Sequence, residues 1–315
     1  MAQINGHSRP KIGYIGLGNA GYPLAGTLSR AGYHLVVRDA DAARAESFAK
    51  QHENARAAQD IDDFSDVDVL VTMLPNGEIV RDVLLGSEGL AERLKDVTII
   101  IDTSSSSPFH TRETGRLLSE VNTSLTLIDS PITQEYQHAL EKGDATLMVG
   151  SSNAQALEVA LPVLKTMGKH VFHMGELGAG HAMKTLNNYT SAASILALCD
   201  ALIAGQKFGL DPAKMVDVMN VGTGVNFSTK ESFRTDGLTR RFQSGYQLSL
   251  LLKDMKISHS LMEAMGVHTD LSSLIVEKLG AADMVAGPGA DHTEVIRGWE
   301  QVNGTQLKQS KQPDS

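Results

Sequence analysis

Apolar residues fall first into short runs and later into long helical stripes along this chain. Lys11 to Ile15 is a β-branched and aromatic run that predicts a strand, followed after a glycine turn by a helix from Tyr22 to Arg30. Gly32 ends that helix, Tyr33 to Val37 predicts a second strand, and a polar helix follows from Ala42 to Lys50. Val67 to Met73 predicts a buried strand, Ile79 to Leu85 a helix, and Val97 to Ile101 another strand. Ser107-Pro108 reads as the N-cap and first residue of a helix reaching Glu120. Leu125 to Ile128, Thr146 to Val149 and Val171 to Met174 predict the remaining strands. Strands and helices in alternation predict a parallel sheet with helices on both faces.

The pattern changes at residues 175–180, GELGAG. Residues 182–207 form one long helical stretch and Asp211-Pro212 caps and opens another. Leu248 to Met265 is a third, ending at Gly266, and Ser272 to Ala286 is a fourth. No strand is predicted there. The expected division is an α/β domain over 1–175, an all-helical domain over 176–303, and a polar tail over 304–315 that frays. A long helix joining the domains leaves a cleft between them, a usual place for ligands.

Gly16, Gly18 and Gly21 stand at GxGxxG spacing between the first strand and the first helix, with Leu17, Asn19 and Ala20 completing the loop. Gly16 permits the tight turn, Gly18 lets the backbone approach a pyrophosphate, and Gly21 lets helix and strand pack closely. The phosphates would sit on amides at the helix N-terminus. Asp39 follows the second strand, where an acid accepts hydrogen bonds from the ribose 2′-hydroxyl and repels a 2′-phosphate. NAD is therefore favoured over NADP, with the adjacent Arg38 pulling the other way. Glycine triplets alone occur in many loops; here strand, helix and acid follow in order.

Composition narrows the function classes. At 315 residues, 42% hydrophobic and 21% charged, the chain suits a soluble globular protein of about two domains. A net charge of −9 leaves no basic surplus for nucleic acid. The N-terminus MAQINGHSRPK lacks the apolar core of a signal peptide, and no apolar run of about 18 residues is present. A cytoplasmic protein without membrane association is expected. The 11 histidines form no HExxH or paired-ligand pattern, so no metal site is expected. Cys199, within ILALCDALIA, reads as a buried small side chain rather than a nucleophile. Leu196, Leu198, Leu202 and Ile203 present more apolar surface than one short helical domain is expected to bury, which points to self-association.

Several motifs in order resemble the β-hydroxyacid dehydrogenase family, which includes 3-hydroxyisobutyrate dehydrogenase, tartronate semialdehyde reductase and, more distantly, 6-phosphogluconate dehydrogenase. They are GLGNAGYPLAGTLSRAG at 16–32, TMLPN at 72–76, DTSSSSP at 102–108, DSPITQEYQHALEKGDATLMVGS at 129–151, GAGHAMKTLNN at 178–188 and LLLKDM at 251–256. The resemblance implies an N-terminal Rossmann-type doubly wound parallel sheet, joined by a long interdomain helix to a C-terminal all-helical domain. It implies reversible hydride transfer between a nicotinamide and a small β-hydroxyacid or related polar alcohol, in a homodimer or homotetramer.

By the same resemblance Lys184 moves the hydroxyl proton, and Leu74, Pro75 and Ser105 border the nicotinamide. Lys253 matches a later lysine that serves substrate and cofactor. Lys184 and Asn188 are four apart on one helix and share a face, so an amide neighbour can hold the hydroxyl in line. Asn187 takes that place if the helix phase differs by one. A free lysine titrates near ~10.4, so oxidation near neutrality needs a lowered value, to which a second cation such as Lys253 would contribute. Lys253-Asp254 equally reads as a surface charge pair, Asp254 as structural, and the serines before Pro108 as helix caps.

The substrate segment departs from the family. Where relatives usually carry Ser-Gly-Gly, this chain has Thr133, Gln134 and Glu135, so side chains stand where a carboxylate would meet bare backbone. Glu135 either recognises a cation or polyol hydroxyl, or turns to solvent while Thr133 and Gln134 bind an acid. The rival functions are an imine reductase-like enzyme, whose sequences generally lack the lysine, and a cofactor-binding protein without catalysis.

Overall fold

The computed structural model describes residues 9–94, 99–133 and 137–308 of the chain. One unit, Met1–Lys184, begins with β1 (Ile12–Ile15), α1 (Gly21–Arg30), β2 (Leu35–Arg38), α2 (Ala42–Gln51), β3 (Ala55–Ala57), β4 (Val69–Thr72) and α3 (Gly77–Leu85). It continues with β5 (Ile99–Asp102), α4 (Pro108–Val121), β6 (Thr126–Asp129), β7 (Ile132–Thr133), α5 (Gln137–Glu141), β8 (Ala145–Gly150), α6 (Ala154–Met167) and β9 (Gly168–Gly175). The strands form one sheet in the order β3-β2-β1-β4-β5-β6-β8-β7, with β9 also paired to β8.

Neighbouring strand residues enter two different cores, as a sheet covered on both faces requires. Ile12, Tyr14, Leu35, Val37, Val69, Val71, Ile99 and Ile101 pack with Leu24 and Leu28 of α1, Phe48 of α2, and Val163 and Leu164 of α6. Ile15, Val36, Leu70 and Ile100 turn to the other face and pack with Val80 and Leu84 of α3 and Leu118 of α4. Nine strands in sequence order change direction about β1, leaving β2 on one side and β4 on the other.

The sheet is parallel from β3 through β6 but not throughout. Both β6 and β7 pair antiparallel with β8, and β9 returns parallel to β8. The sheet is mixed at this end because β6 and β7 run on in one direction against β8, and the chain turns back between Thr133 and Ala145 without a crossover to a parallel position. Two-residue β7 and three-residue β3 are too short to carry a period in sequence. The unpredicted α6 has Asn153 as its cap and buries Ala156, Ala160, Val163, Leu164 and Met167, with Pro162 tolerated on its exposed side.

Helix α7 (Ala179–Phe208) runs through Lys184 into the second unit, Thr185–Ser315. That unit continues with α8 (Pro212–Val221), α9 (Phe227–Lys230), α10 (Leu248–Ala264), α11 (Asp270–Ala286) and α12 (Ile296–Asn303). Its core joins Leu198, Cys199, Leu202 and Ile203 of α7 to Val216, Phe233, Leu251, Met255, Ile275, Leu279, Val295 and Ile296. Leu196, Leu198, Leu202 and Ile203 are therefore all buried within a single chain, and the argument that they need a second copy is corrected. By length and composition α7 is apolar enough to cross a membrane, although polar residues interrupt it throughout. Its apolar side chains instead form the interior of this unit.

The tail is also corrected as far as Lys308. Leu307 is buried in the core, its amide donates to Glu300 Oε1 (2.9 Å), and the Lys308 amide donates to Gln206 Oε1 (2.7 Å).

Candidate active site

β1 ends at Ile15 and the chain turns at Gly16, whose φ of +100° favours glycine. A Cβ on Gly21 would be driven into the Gly16 carbonyl oxygen, so α1 can start this close to the turn only with glycine. At Gly18, by contrast, nothing lies within 4 Å of the Cβ position. The fold does not require that glycine. Ala20 provides no side-chain cap for α1. Asp39, just past β2, accepts from the Leu17 amide through Oδ2 (2.6 Å) and from the Asp41 amide through Oδ1 (2.9 Å). Loop amides, a helix N-terminus and an oriented carboxylate fit the pyrophosphate and ribose of NAD. Arg38 is exposed and Asn19 lies exposed on the loop.

The ends of β4 and β5 lie along the same edge as this turn. Thr72 and Asp102 are register partners, and Thr72 Oγ1 donates to Asp102 Oδ1 (2.9 Å), which also accepts from the Ser104 amide (3.0 Å). The Leu74 amide donates to Ser104 Oγ (2.9 Å), tying the loop after β4 to the loop after β5. Ser105 is half-buried beside it and Pro75 is exposed. Ser107 occupies the N-cap position of α4 as predicted but makes no side-chain cap bond.

Asp129, at the end of β6, is fully buried, and its Oδ1 and Oδ2 accept from the amides of Gly178 (2.6 Å) and His181 (2.7 Å). It thereby caps the start of α7, where the helix dipole favours negative charge. Burial pushes its carboxyl above the ordinary range, against the pull of the His181 ring and the two amides. The His181 ring is buried between the Ser104 carbonyl and Thr111 Oγ1, and half-buried Lys184 stands one turn further along α7.

A second cluster lies within the C-terminal unit around Asp254, which is 4% exposed. Asn188 Nδ2 (2.7 Å) and the Tyr246 hydroxyl (2.9 Å) both donate to Asp254 Oδ2, and Lys253 Nζ lies 3.3 Å from Oδ1. Thr185 Oγ1 donates to the Asp254 carbonyl (2.9 Å), and Asn187 Nδ2 donates to Asn188 Oδ1 (3.2 Å). Asn188 and Lys253 are thus brought together by one carboxylate, with Lys184 one turn before Asn188 on α7. The reading of Lys253-Asp254 as a surface pair is corrected for Asp254.

Thr133 is half-buried on β7 opposite Thr146, while Gln134 and Glu135 lie outside the described residues. Sequence reasoning did not single out Asp102, Ser104, Asp129, His181 or Tyr246. The position of Asp102 and Asp129 at strand ends was the available signal. Cys199 is buried, and burial pushes its thiol well above the ordinary value, which removes it as a nucleophile. Among the described residues no group of three His, Cys, Asp or Glu could hold a metal ion.

Residues 11–175 match the family described as the NAD binding domain of 6-phosphogluconate dehydrogenase, and residues 178–299 that described as NAD-binding of NADP-dependent 3-hydroxyisobutyrate dehydrogenase. The chain is 29% identical over 298 residues to the 2-(hydroxymethyl)glutarate dehydrogenase of Eubacterium barkeri, covering 94% of this chain and 97% of that one. It is 32% identical over 297 residues to a probable 3-hydroxyisobutyrate dehydrogenase of Mycobacterium tuberculosis, covering 90% and 94%. The solved structure of Mycobacterium tuberculosis 3-hydroxyisobutyrate dehydrogenase with L-serine is similar at a TM-score of 0.82 and 26% identity, covering 92% of this chain and 99% of that chain.

Two glycine substitutions separate fold from ligand. Gly18→Ala is expected to leave the denaturant midpoint unchanged and to weaken NADH binding about tenfold or more in a fluorescence titration. Gly21→Ala is expected to cost about 1–3 kcal/mol of stability as well. Asp254→Ala, which strands the donors gathered on it, is expected to lower stability by about 1–3 kcal/mol in urea melts, with Asp254→Asn recovering part of the loss.

Proposed function

The chain belongs to the β-hydroxyacid dehydrogenase family and is an NAD-dependent dehydrogenase acting on CH–OH, and from that premise we propose that Lys184 is its acid/base and Asn188 its hydroxyl-orienting residue. The observation that carries this reading is the pairing on α7: Lys184 and Asn188 stand one turn apart, and the Asn188 amide is held by Asp254 (2.7 Å). The Gly16–Gly21 loop and Asp39 would hold NAD, which would supply the hydride acceptor for oxidation and, reduced, the donor for the reverse reaction.

Lys184 as the amine takes the hydroxyl proton while the carbinol carbon gives up its hydride, and as the ammonium it returns the proton when the carbonyl is reduced. Asn188 keeps the hydroxyl in line with that nitrogen. Lys253 offers a cation to an anionic substrate group, and Thr133 offers a hydroxyl. Leu74, Pro75 and Ser105 lie on the two loops at the C-terminal ends of β4 and β5, the edge at which open α/β sheets bind ligands. Asp39, oriented by the Leu17 amide, is assigned to the ribose and makes NAD the preferred cofactor.

Both curated relatives are named for substrates with a hydroxymethyl group next to the carbon that bears a carboxylate. We assign this chain a substrate of that class, a 2-substituted 3-hydroxypropanoate oxidised to its semialdehyde. We assign it to the cytoplasm as a soluble homodimer or homotetramer. Exposed Val218, Val221, Leu271, Leu274 and Met284 on α8 and α11 support self-association.

Lys184→Ala is expected to lower kcat with 3-hydroxyisobutyrate by about 10² or more while NADH still binds with near wild-type affinity, measured by absorbance at ~340 nm and by fluorescence titration. Retained turnover would remove Lys184 from the chemistry. Asp39→Ser is expected to lower kcat/KM for NAD about tenfold or more through loss of a charge-assisted hydrogen bond and to narrow the gap to NADP. An unchanged cofactor ratio would detach Asp39 from the ribose.

A further inference from the structure

His181 stands one turn before Lys184 on α7, and both lie in the N-terminal unit. Its ring, 1% exposed, joins α7 to two other elements: Nε2 lies 2.9 Å from the Ser104 carbonyl oxygen and Nδ1 lies 2.8 Å from Thr111 Oγ1 on α4. A carbonyl only accepts, so Nε2 carries a proton and donates it. Thr111 Oγ1 also lies 3.1 Å from the Ser107 carbonyl, and a hydroxyl has one proton to give. Given to Nδ1, that proton serves a neutral ring. Given to Ser107, it leaves Nδ1 to donate as part of an imidazolium, with the carboxylates of Asp102 and Asp129 at 3.8 and 3.7 Å from the ring nitrogens. The bond from Nε2 to Ser104 is common to both states.

Ser104 lies just past the C-terminal end of β5, and its hydroxyl accepts the Leu74 amide from the loop after β4. One buried ring therefore ties the first turn of α7 to both loops at the cofactor edge of the sheet. We propose that His181 is a positioning residue for hydride transfer: its bond to Ser104 sets the place of Lys184 relative to those loops. The inference rests on Lys184 being the acid/base. Residues three apart on a helix are neighbours on its surface, about 4.5 Å apart along the axis, so a slip of this turn passes to Lys184. A displacement of about 1 Å can cost about 10² in rate. The phosphates and ribose, in contrast, are held by the Gly16–Gly21 loop and Asp39, so cofactor affinity does not follow His181.

The test uses the full chain as wild type, His181→Leu, His181→Gln, Thr111→Val and Lys184→Ala. NADH formation is followed with whichever of 3-hydroxyisobutyrate, L-serine and 2-(hydroxymethyl)glutarate the wild type oxidises fastest, and NADH Kd by fluorescence. His181→Leu is expected to lower kcat about tenfold or more with NADH Kd within about twofold of wild type. His181→Gln, whose amide can donate to Ser104 and accept from Thr111, recovers most of that loss. Thr111→Val keeps the ring and its Ser104 bond and stays within about threefold of wild type.

Wild-type kcat in His181→Leu, a joint loss of kcat and NADH affinity, a glutamine variant no better than leucine, or a Thr111→Val loss as large as that of His181→Leu would each overturn the proposal. Should His181→Leu not fold, His181→Asn, whose shorter amide does not span to Ser104, takes its place with the same readings. Lys184→Ala separates the two assignments. Turnover retained there removes the Lys184 reading and this inference with it, whereas turnover lost there but kept in His181→Leu removes the inference alone.

Discussion

The Asp129 carboxylate is the junction on which the rest of the site's placement depends. It ends β6, it is fully buried, and its two oxygens take the amides of Gly178 and His181 at the start of α7. Burying a carboxylate costs several kcal/mol. Two amide bonds to a charged acceptor, at about 1.5–3 kcal/mol each, and the helix N-terminus at up to about 2 kcal/mol, together offset a penalty of that size. The upward push of burial on this carboxyl marks the cost that remains. Because the carboxylate is satisfied only when the first turn of α7 sits on the end of β6, the position of that turn is specified rather than merely permitted.

The loop between β1 and α1 meets a different constraint, the close approach of backbone to backbone. Gly16 and Gly21 are needed by the fold itself, one for a positive φ and one for close approach, while the Cβ position of Gly18 faces open space. Asp39 is held from the loop side by the Leu17 amide, so its carboxylate has a fixed direction. Preorganisation of this kind lowers the ordering cost of binding.

What could be read from the sequence was local. Glycine spacing, the periods of β1, β2, β4, β5 and β6 and the helical stripes of α7, α8, α10 and α11 depend on neighbours within a few turns, and these elements stand close to where they were expected. The bonds from Asp129 to Gly178 and His181 join residues 49 and 52 positions apart, and no local pattern announces them. The antiparallel pairing of β8 was hidden for a related reason: its partner β7 is two residues long, too short to carry a period. In α6 a proline argues against a helix unless it is known to face outward. Leu196, Leu198, Leu202 and Ile203 looked surplus because the residues that cover them come from α8, α10, α11 and the segment at 295–296, elements whose packing no count of apolar residues predicts.

Asp254 shows how a pair that reads as surface charge becomes an organiser. Two hydrogen bonds and an ammonium converge on its carboxylate, and bonds to a charged acceptor are about twice as strong as neutral ones. The Asn188 amide is clamped from both ends, its nitrogen on Asp254 and its oxygen on Asn187, so the two asparagines divide into one held and one holding. The same carboxylate changes what Lys253 can do. A cation 3.3 Å from a carboxylate acts at longer range as a dipole, whose field falls faster than that of a lone charge. Its influence on a distant proton is thereby weakened, whereas its grip on an anionic group at contact distance, where the near charge dominates, is kept. Lys253 is accordingly better suited to meeting an anion at contact than to acting at a distance.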